Sequence, residues 1–189
     1  MPPFRSIAAT LAVLLALAAC APRTVAHAGG QRYSSAAQIT PANVAGLTPA
    51  WTYSTGDMKR HAAAMKHAGF ENTPILAEGR LYICSQFNRV SAVDPGTGHE
   101  LWAYDPQVDD TVRYPNDNLC RGVTYWRDAG APPAQACAAR IFLPTVDRRL
   151  IALDSATGRP CSGFGQAGVV DVGAGVALEH KGQFQITSP

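Results

Sequence analysis

"AVDPGTGHELW", residues Ala92–Trp102, returns in altered form as "ALDSATGRPC", residues Ala152–Cys161. A shift of sixty residues lays "RLYICSQFNRVSAVDPGTG" (Arg80–Gly98) over "RIFLPTVDRRLIALDSATG" (Arg140–Gly158) without a gap. Six positions are identical: Arg80/Arg140, Arg89/Arg149, Ala92/Ala152, Asp94/Asp154, Thr97/Thr157 and Gly98/Gly158. Most of the others keep their apolar or polar class. Each copy reads as strand, polar turn, strand, Asp-x-x-Thr-Gly turn and strand, because β-branched and aromatic residues fill short runs bounded by turn formers. Asp94 and Asp154 can cap the turn through a side-chain oxygen, and Gly98 and Gly158 tolerate the left-handed backbone a tight turn needs. Short meanders repeated with the same chemistry predict a radial or stacked all-β architecture, not an α/β sheet.

Outside the repeat the pattern changes. "LTPAWTYSTGD" (Leu47–Asp57) predicts a further strand with Trp51 near its start. "KRHAAAMKHAG" (Lys59–Gly69) predicts a short helix or a loop. Its His61 and His67 are six apart, a spacing that does not put a metal pair on one helical face, so both read as surface residues.

The 189-residue chain is 47% hydrophobic and 16% charged, which marks it as globular rather than disordered. A net charge of +2 with no stripe of Lys or Arg does not point to a nucleic-acid partner. At the N-terminus, Arg5 precedes an apolar run from Ile7 to Ala19 that is shorter than the ~20 residues of a bilayer span. Leu17-Ala18-Ala19-Cys20 resembles the bacterial lipobox, in which the cysteine is acylated and becomes the new N-terminus. Residues 1–19 are therefore expected to be a lipoprotein signal peptide, and residues 20–33 a flexible tether. The folded domain is expected over residues 34–189, on the periplasmic side of a membrane that it reaches through lipid on Cys20. A plain secretory signal cleaved nearby is the alternative. With Cys20 assigned to lipid, Cys84, Cys120, Cys137 and Cys161 remain, an even number in an oxidising compartment. Four cysteines allow three pairings, and none has the short Cys-x-x-Cys or Cys/His spacing of a zinc site.

The unit Ala-x-Asp-x-x-Thr-Gly-x-x-x-Trp, complete at Trp102, resembles the tryptophan-docking repeat of the eight-bladed quinoprotein propellers. The second copy departs from it, with Ser162 where the Trp belongs. Three stretches narrow the resemblance: "ENTPILAEGRLYICS" (Glu71–Ser85), "CRGVTYW" (Cys120–Trp126) and Ala139–Asp171. Together they resemble the dehydrogenases that depend on pyrroloquinoline quinone (PQQ), most closely the glucose dehydrogenase group, from about Gln31 to the final "QITSP". The fold this implies is part of an eight-bladed-type β-propeller. At about 40–50 residues per blade, the chain has room for roughly three.

PQQ is a flat ortho-quinone with three carboxylates, and Arg offers a planar, permanently charged fork that matches them. By resemblance Arg121 contacts the cofactor, and Glu71 and Thr145 match an acid and a threonine that do so. The resemblance also implies a Cys120–Cys137 disulfide. Some glucose-oxidising members carry a His where this chain has Asp117. The alcohol-oxidising members have adjacent cysteines where this chain has Cys120 alone. The catalytic base, a lysine beside the quinone and most ligands of the calcium or magnesium ion lie in later blades of the family. No catalytic residue is therefore assigned here. The function implied is that of the N-terminal part of a periplasmic enzyme oxidising a sugar or alcohol by hydride transfer to PQQ, with a respiratory quinone or cytochrome c as acceptor. The rival reading is a non-enzymatic propeller lipoprotein that scaffolds outer-membrane assembly.

Overall fold

The computed structural model describes residues 36–189, so the predicted signal peptide, the lipid site Cys20 and the tether lie outside the described residues. The chain divides after Leu47 into two units. The described part of the first holds one 3-10 turn, Val44–Gly46, beside Asn43, whose side chain accepts from Thr40 N–H and donates to the Gln38 carbonyl, both at 2.8 Å.

The second unit begins with an irregular stretch, a single helical turn α1 (Asp57–Arg60) and a short strand β1 (Ala68–Gly69). The first copy of the repeat then builds a meander: β2 (Ile75–Ala77), β3 (Arg80–Cys84), β4 (Val90–Val93) and β5 (Glu100–Tyr104), hydrogen-bonded in that order and antiparallel throughout. After β6 (Asn118–Leu119) the second copy builds another, from β7 (Thr124–Arg127), β8 (Ala139–Pro144), β9 (Arg149–Asp154) and β10 (Val169–Asp171). These are two complete four-stranded blades of a propeller. β1 and β6 form a separate parallel pair.

The blades bury their facing sides against one another. Tyr82, Cys84, Val90 and Ala92 of the first pack with Ile141, Leu143, Ile151 and Leu153 of the second, all of them inaccessible to solvent. Each large apolar side chain so buried contributes about 1.5–3 kcal/mol. Alternation along β8 sends Ile141 and Leu143 to this core, while Phe142 turns away and meets Phe164 edge-on at 5.4 Å. The core is also crossed by a buried polar link in which Tyr82 Oη donates to the Ser155 carbonyl at 3.0 Å, and burial pushes its hydroxyl pKa up to about 12.

The Asp-x-x-Thr-Gly turns close as the sequence predicts. Asp94 Oδ1 accepts from Gly96 N–H, Thr97 N–H and Thr97 Oγ1 at 2.8–3.0 Å, and Asp154 Oδ1 repeats the pattern with Ala156 and Thr157 at 2.8–3.1 Å. Gly98 and Gly158 end the turns at φ +74° and +71°. A tryptophan lies on each of them. Trp102 Nε1 donates to the Ser155 carbonyl at 3.1 Å, and Trp51 Nε1 to the Pro95 carbonyl at 3.0 Å. Trp51 therefore occupies the docking position on the first blade. Its segment, expected as a strand over Leu47–Asp57, joins no ladder among the described residues; Gly56 turns left-handed at φ +77°, and Asp57 begins α1. The adjacent Tyr53 hydroxyl joins Arg89, Ser91 and Glu100 in a network in which Arg89 holds both Glu100 oxygens at 3.0 and 3.1 Å.

Two expectations are corrected. Cys120 does not pair with Cys137; the disulfides are Cys84–Cys120 and Cys137–Cys161, with Cα–Cα distances of 6.0 and 5.8 Å. The reason is β7. Cys120 precedes it and Cys137 follows its far end, so roughly 10 Å of strand rise separates them, beyond the reach of a disulfide. Cys84, at the end of β3, faces Cys120 in the core. Cys161 lies just beyond the second turn, close to where a docking tryptophan would stand, and is tied there to the loop before β8. Of the two histidines expected at the surface, His61 differs and His67, with 38% of its side chain exposed, does not. His61 is largely covered, stacked on Phe87 at 4.0 Å with Nδ1 2.7 Å from Asp110 Oδ2. His67 lies against Arg113, and its Nδ1 is 3.8 Å from Asp117.

Candidate functional site

The parallel pairing of β1 with β6 sets Ala68 opposite Asn118 and Gly69 opposite Leu119. Two residues past the end of each strand stand Glu71 and Arg121, which meet: Arg121 Nε donates to Glu71 Oε2 at 3.2 Å. The arginine backbone is held on both sides, since its carbonyl accepts from Thr73 N–H at 3.0 Å and its N–H donates to the Thr187 carbonyl at 2.8 Å. Its guanidinium also donates to Thr187 Oγ1 at 2.7 Å. Two of the five guanidinium N–H groups are thereby engaged and three remain for a ligand. The Arg121 and Glu71 side chains are 46% and 55% exposed, so the pair orients the guanidinium while adding only about 0–1 kcal/mol of stability.

Between Glu71 and Thr73, the Asn72 amide is buried with neither its oxygen nor its nitrogen hydrogen-bonded. Unmade hydrogen bonds of this kind cost about 1–3 kcal/mol per group. A fixed, accessible guanidinium beside an unsatisfied amide suits a flat ligand bearing carboxylates. The donor set fits PQQ at this edge.

Thr145 sits elsewhere. It is fully buried in the turn between β8 and β9, where Oγ1 accepts from Arg149 N–H at 3.0 Å and donates to Asp147. Arg149 in turn grips Asp147 with Nε at 3.0 Å and the Pro106 carbonyl at 2.8 Å. Thr145 thus has no direct contact with Arg121. The two loops are joined through Asn88, whose Oδ1 accepts from Val146 N–H at 3.0 Å and whose Nδ2 donates to the Leu119 carbonyl at 3.4 Å. Asp117, at φ +60°, has its carboxylate 3.7 Å from Arg113. Among the described residues no group of three or more His, Cys, Asp or Glu gathers that could hold a metal ion.

Sequence reasoning missed Thr187, Asn72, Asn88 and the Cys84 half of the disulfide behind Arg121. Thr187 lies in the "QITSP" stretch, which carries no charge or spacing of its own that would single it out. Only the chain's return to Arg121 does so.

The model of the PQQ glucose/ethanol/alcohol dehydrogenase β-propeller domain matches residues 22–189. The glycerol dehydrogenase large subunit of Gluconobacter oxydans (strain 621H) is 39% identical over 158 residues, 84% of this chain and 21% of that protein. The quinoprotein glucose dehydrogenase of Escherichia coli (strain K12) is 35% identical over 164 residues, 85% of this chain and 20% of that one. The crystal structure of quinohemoprotein alcohol dehydrogenase from Comamonas testosteroni superposes with a TM-score of 0.58 at 31% identity, covering 84% of this chain and 20% of that one. The chain therefore spans about a fifth of the length of these relatives.

Proposed function

The chain belongs to the PQQ-dependent glucose/ethanol/alcohol dehydrogenase β-propeller family, and on that premise we propose that it forms one edge of a PQQ site serving the oxidation of a sugar or alcohol hydroxyl. The single observation that carries this is the Arg121 guanidinium, held by Glu71 and Thr187 with three N–H groups to spare. When bound, PQQ supplies the redox chemistry by accepting a hydride. The chain's own work is binding and orientation. Arg121 takes a cofactor carboxylate, and Glu71 keeps the guanidinium from swinging into solvent. Thr187 locks the rotamer from the opposite side. Thr145 supports the neighbouring turn from within.

We extend the proposal to location: the chain works on the periplasmic side of a membrane, anchored by lipid on Cys20, with a respiratory quinone or cytochrome c as electron acceptor. Two disulfides accord with an oxidising compartment. Calcium or magnesium belongs to the same reading, with ligands beyond those described here.

Titration of the chain with PQQ, followed by quenching of tryptophan fluorescence and by the Arg121 Nε–H resonance, tests the site. Saturable binding that moves this resonance is expected. Binding that leaves it unmoved, or none, overturns the assignment.

A further inference from the structure

Asn88 is buried to 0% exposure in the turn between β3 and β4, at φ +62°. A left-handed position in a tight turn accounts for Asn or Gly there, but not for what the side chain reaches. Its amide spans two other loops: Oδ1 takes Val146 N–H, one residue past Thr145, and Nδ2 gives to the Leu119 carbonyl, two residues before Arg121. The equivalent position in the second blade is Arg148, also left-handed at φ +66°, whose side chain turns instead to Asp171 at 3.4 Å. The turn geometry is thus shared by both blades and the bridge belongs to one. Beside the bridge, the Cys84–Cys120 disulfide ties the same β6 segment to the end of β3. The strand entering Arg121 is consequently fixed at two adjacent points to the turn that carries Asn88. Only the amide extends the connection to the second blade.

We propose that Asn88 is a positioning residue for the cofactor edge: it sets β6 and the segment after it that bears Arg121 in register with the β8–β9 turn bearing Thr145. This rests on the reading of Arg121 as a PQQ contact. A buried amide satisfied on both sides is well suited to such a task, because any shift of either loop leaves a polar group unpaired in the core.

The test compares three variants of the whole chain. Asn88→Gly keeps the left-handed turn and deletes the bridge. Asn88→Asp keeps the acceptor for Val146 and sets a second acceptor against the Leu119 carbonyl. Tyr82→Phe deletes a different buried bond between the blades, Tyr82 Oη to Ser155, without touching the Arg121 segment. PQQ affinity, the Arg121 Nε–H resonance and thermal stability are measured for each. Both Asn88 variants are expected to weaken PQQ binding about tenfold and to shift and broaden the Arg121 resonance. Tyr82→Phe is expected to lower the melting temperature with PQQ affinity within twofold of wild type. Asn88 variants that bind PQQ as wild type does overturn the inference and leave the cofactor reading standing. Equal loss of affinity in Tyr82→Phe overturns it too, by showing that any interblade bond has the same effect. Failure of the wild-type chain itself to bind PQQ removes the reading on which the inference rests.

Discussion

Trp102 lies flat on Gly158: a methyl group placed on that glycine would sit 2.5 Å from the indole Cε3. Trp51 repeats the relationship on Gly98, where a Cβ would come within 2.6 Å of Cδ2. Both glycines also need positive φ, so a side chain meets backbone strain and a collision with a rigid ring together. Gly158→Ala is expected to destabilise the fold by about 2–4 kcal/mol, and Ala156→Gly in the same turn by under about 1 kcal/mol. Urea unfolding of both checks this. Equal small losses would show that the indole moves aside at no cost.

The disulfide pattern is directly measurable. Peptide mapping without reduction should recover Cys84 with Cys120 and Cys137 with Cys161. The bridges close loops of 36 and 24 residues, and each is expected to contribute about 3–4 kcal/mol through the unfolded chain. Recovery of a Cys120–Cys137 peptide would contradict the arrangement around β7.

Acid stability follows from the turn aspartates. Burial works to raise the Asp154 pKa, but it is outweighed by hydrogen bonds from Cys137 N–H, the Thr157 hydroxyl and the turn N–H groups, leaving the carboxyl below its ordinary 3.8. A lowered folded-state pKa gives stability that is complete above 3.8 and is lost as pH falls through the folded value. Asp94 shifts the same way, chiefly through the Thr97 hydroxyl. Asp154→Asn should cost about 1 kcal/mol near pH 7 and progressively less as pH falls below 3.8. Urea titrations at neutral and acid pH check the sign. A gap between wild type and variant that widens in acid would reverse it.

The two blades were readable because their turn chemistry is local: Asp, Thr and Gly within five residues specify one closure, and the sixty-residue shift repeats it. Arg121 and Glu71 were singled out by their flanking motifs, and their contact follows from the parallel pairing of β1 with β6. The disulfides were not, since pairing depends on which strand ends meet, and β7 decides that. Trp51 sits in a segment with strand-like composition, yet it docks without a ladder. Asn88 reads in sequence as an ordinary turn former, and its bridge emerges only when the loops of Leu119 and Val146 converge on it.

Arg121 offers the sharpest test of the site. Lys keeps the charge but loses the planar fork, its hold on Glu71 through Nε and its paired donors. Arg121→Ala should weaken PQQ binding by about 1.5 kcal/mol, roughly tenfold, the low end for a charged hydrogen bond because the side chain is 46% exposed. Arg121→Lys should recover only part of the loss, since a point charge attracts a carboxylate without fixing its plane. Thr187→Val should act more weakly still, by freeing the guanidinium from its 2.7 Å contact while leaving the backbone bond to the Thr187 carbonyl intact. Calorimetric titration with PQQ, at low and high salt, checks the order Ala, Lys, Val. Full recovery by Lys would mean that charge alone serves the site, and the geometry at Glu71 and Thr187 would then have no part in recognition.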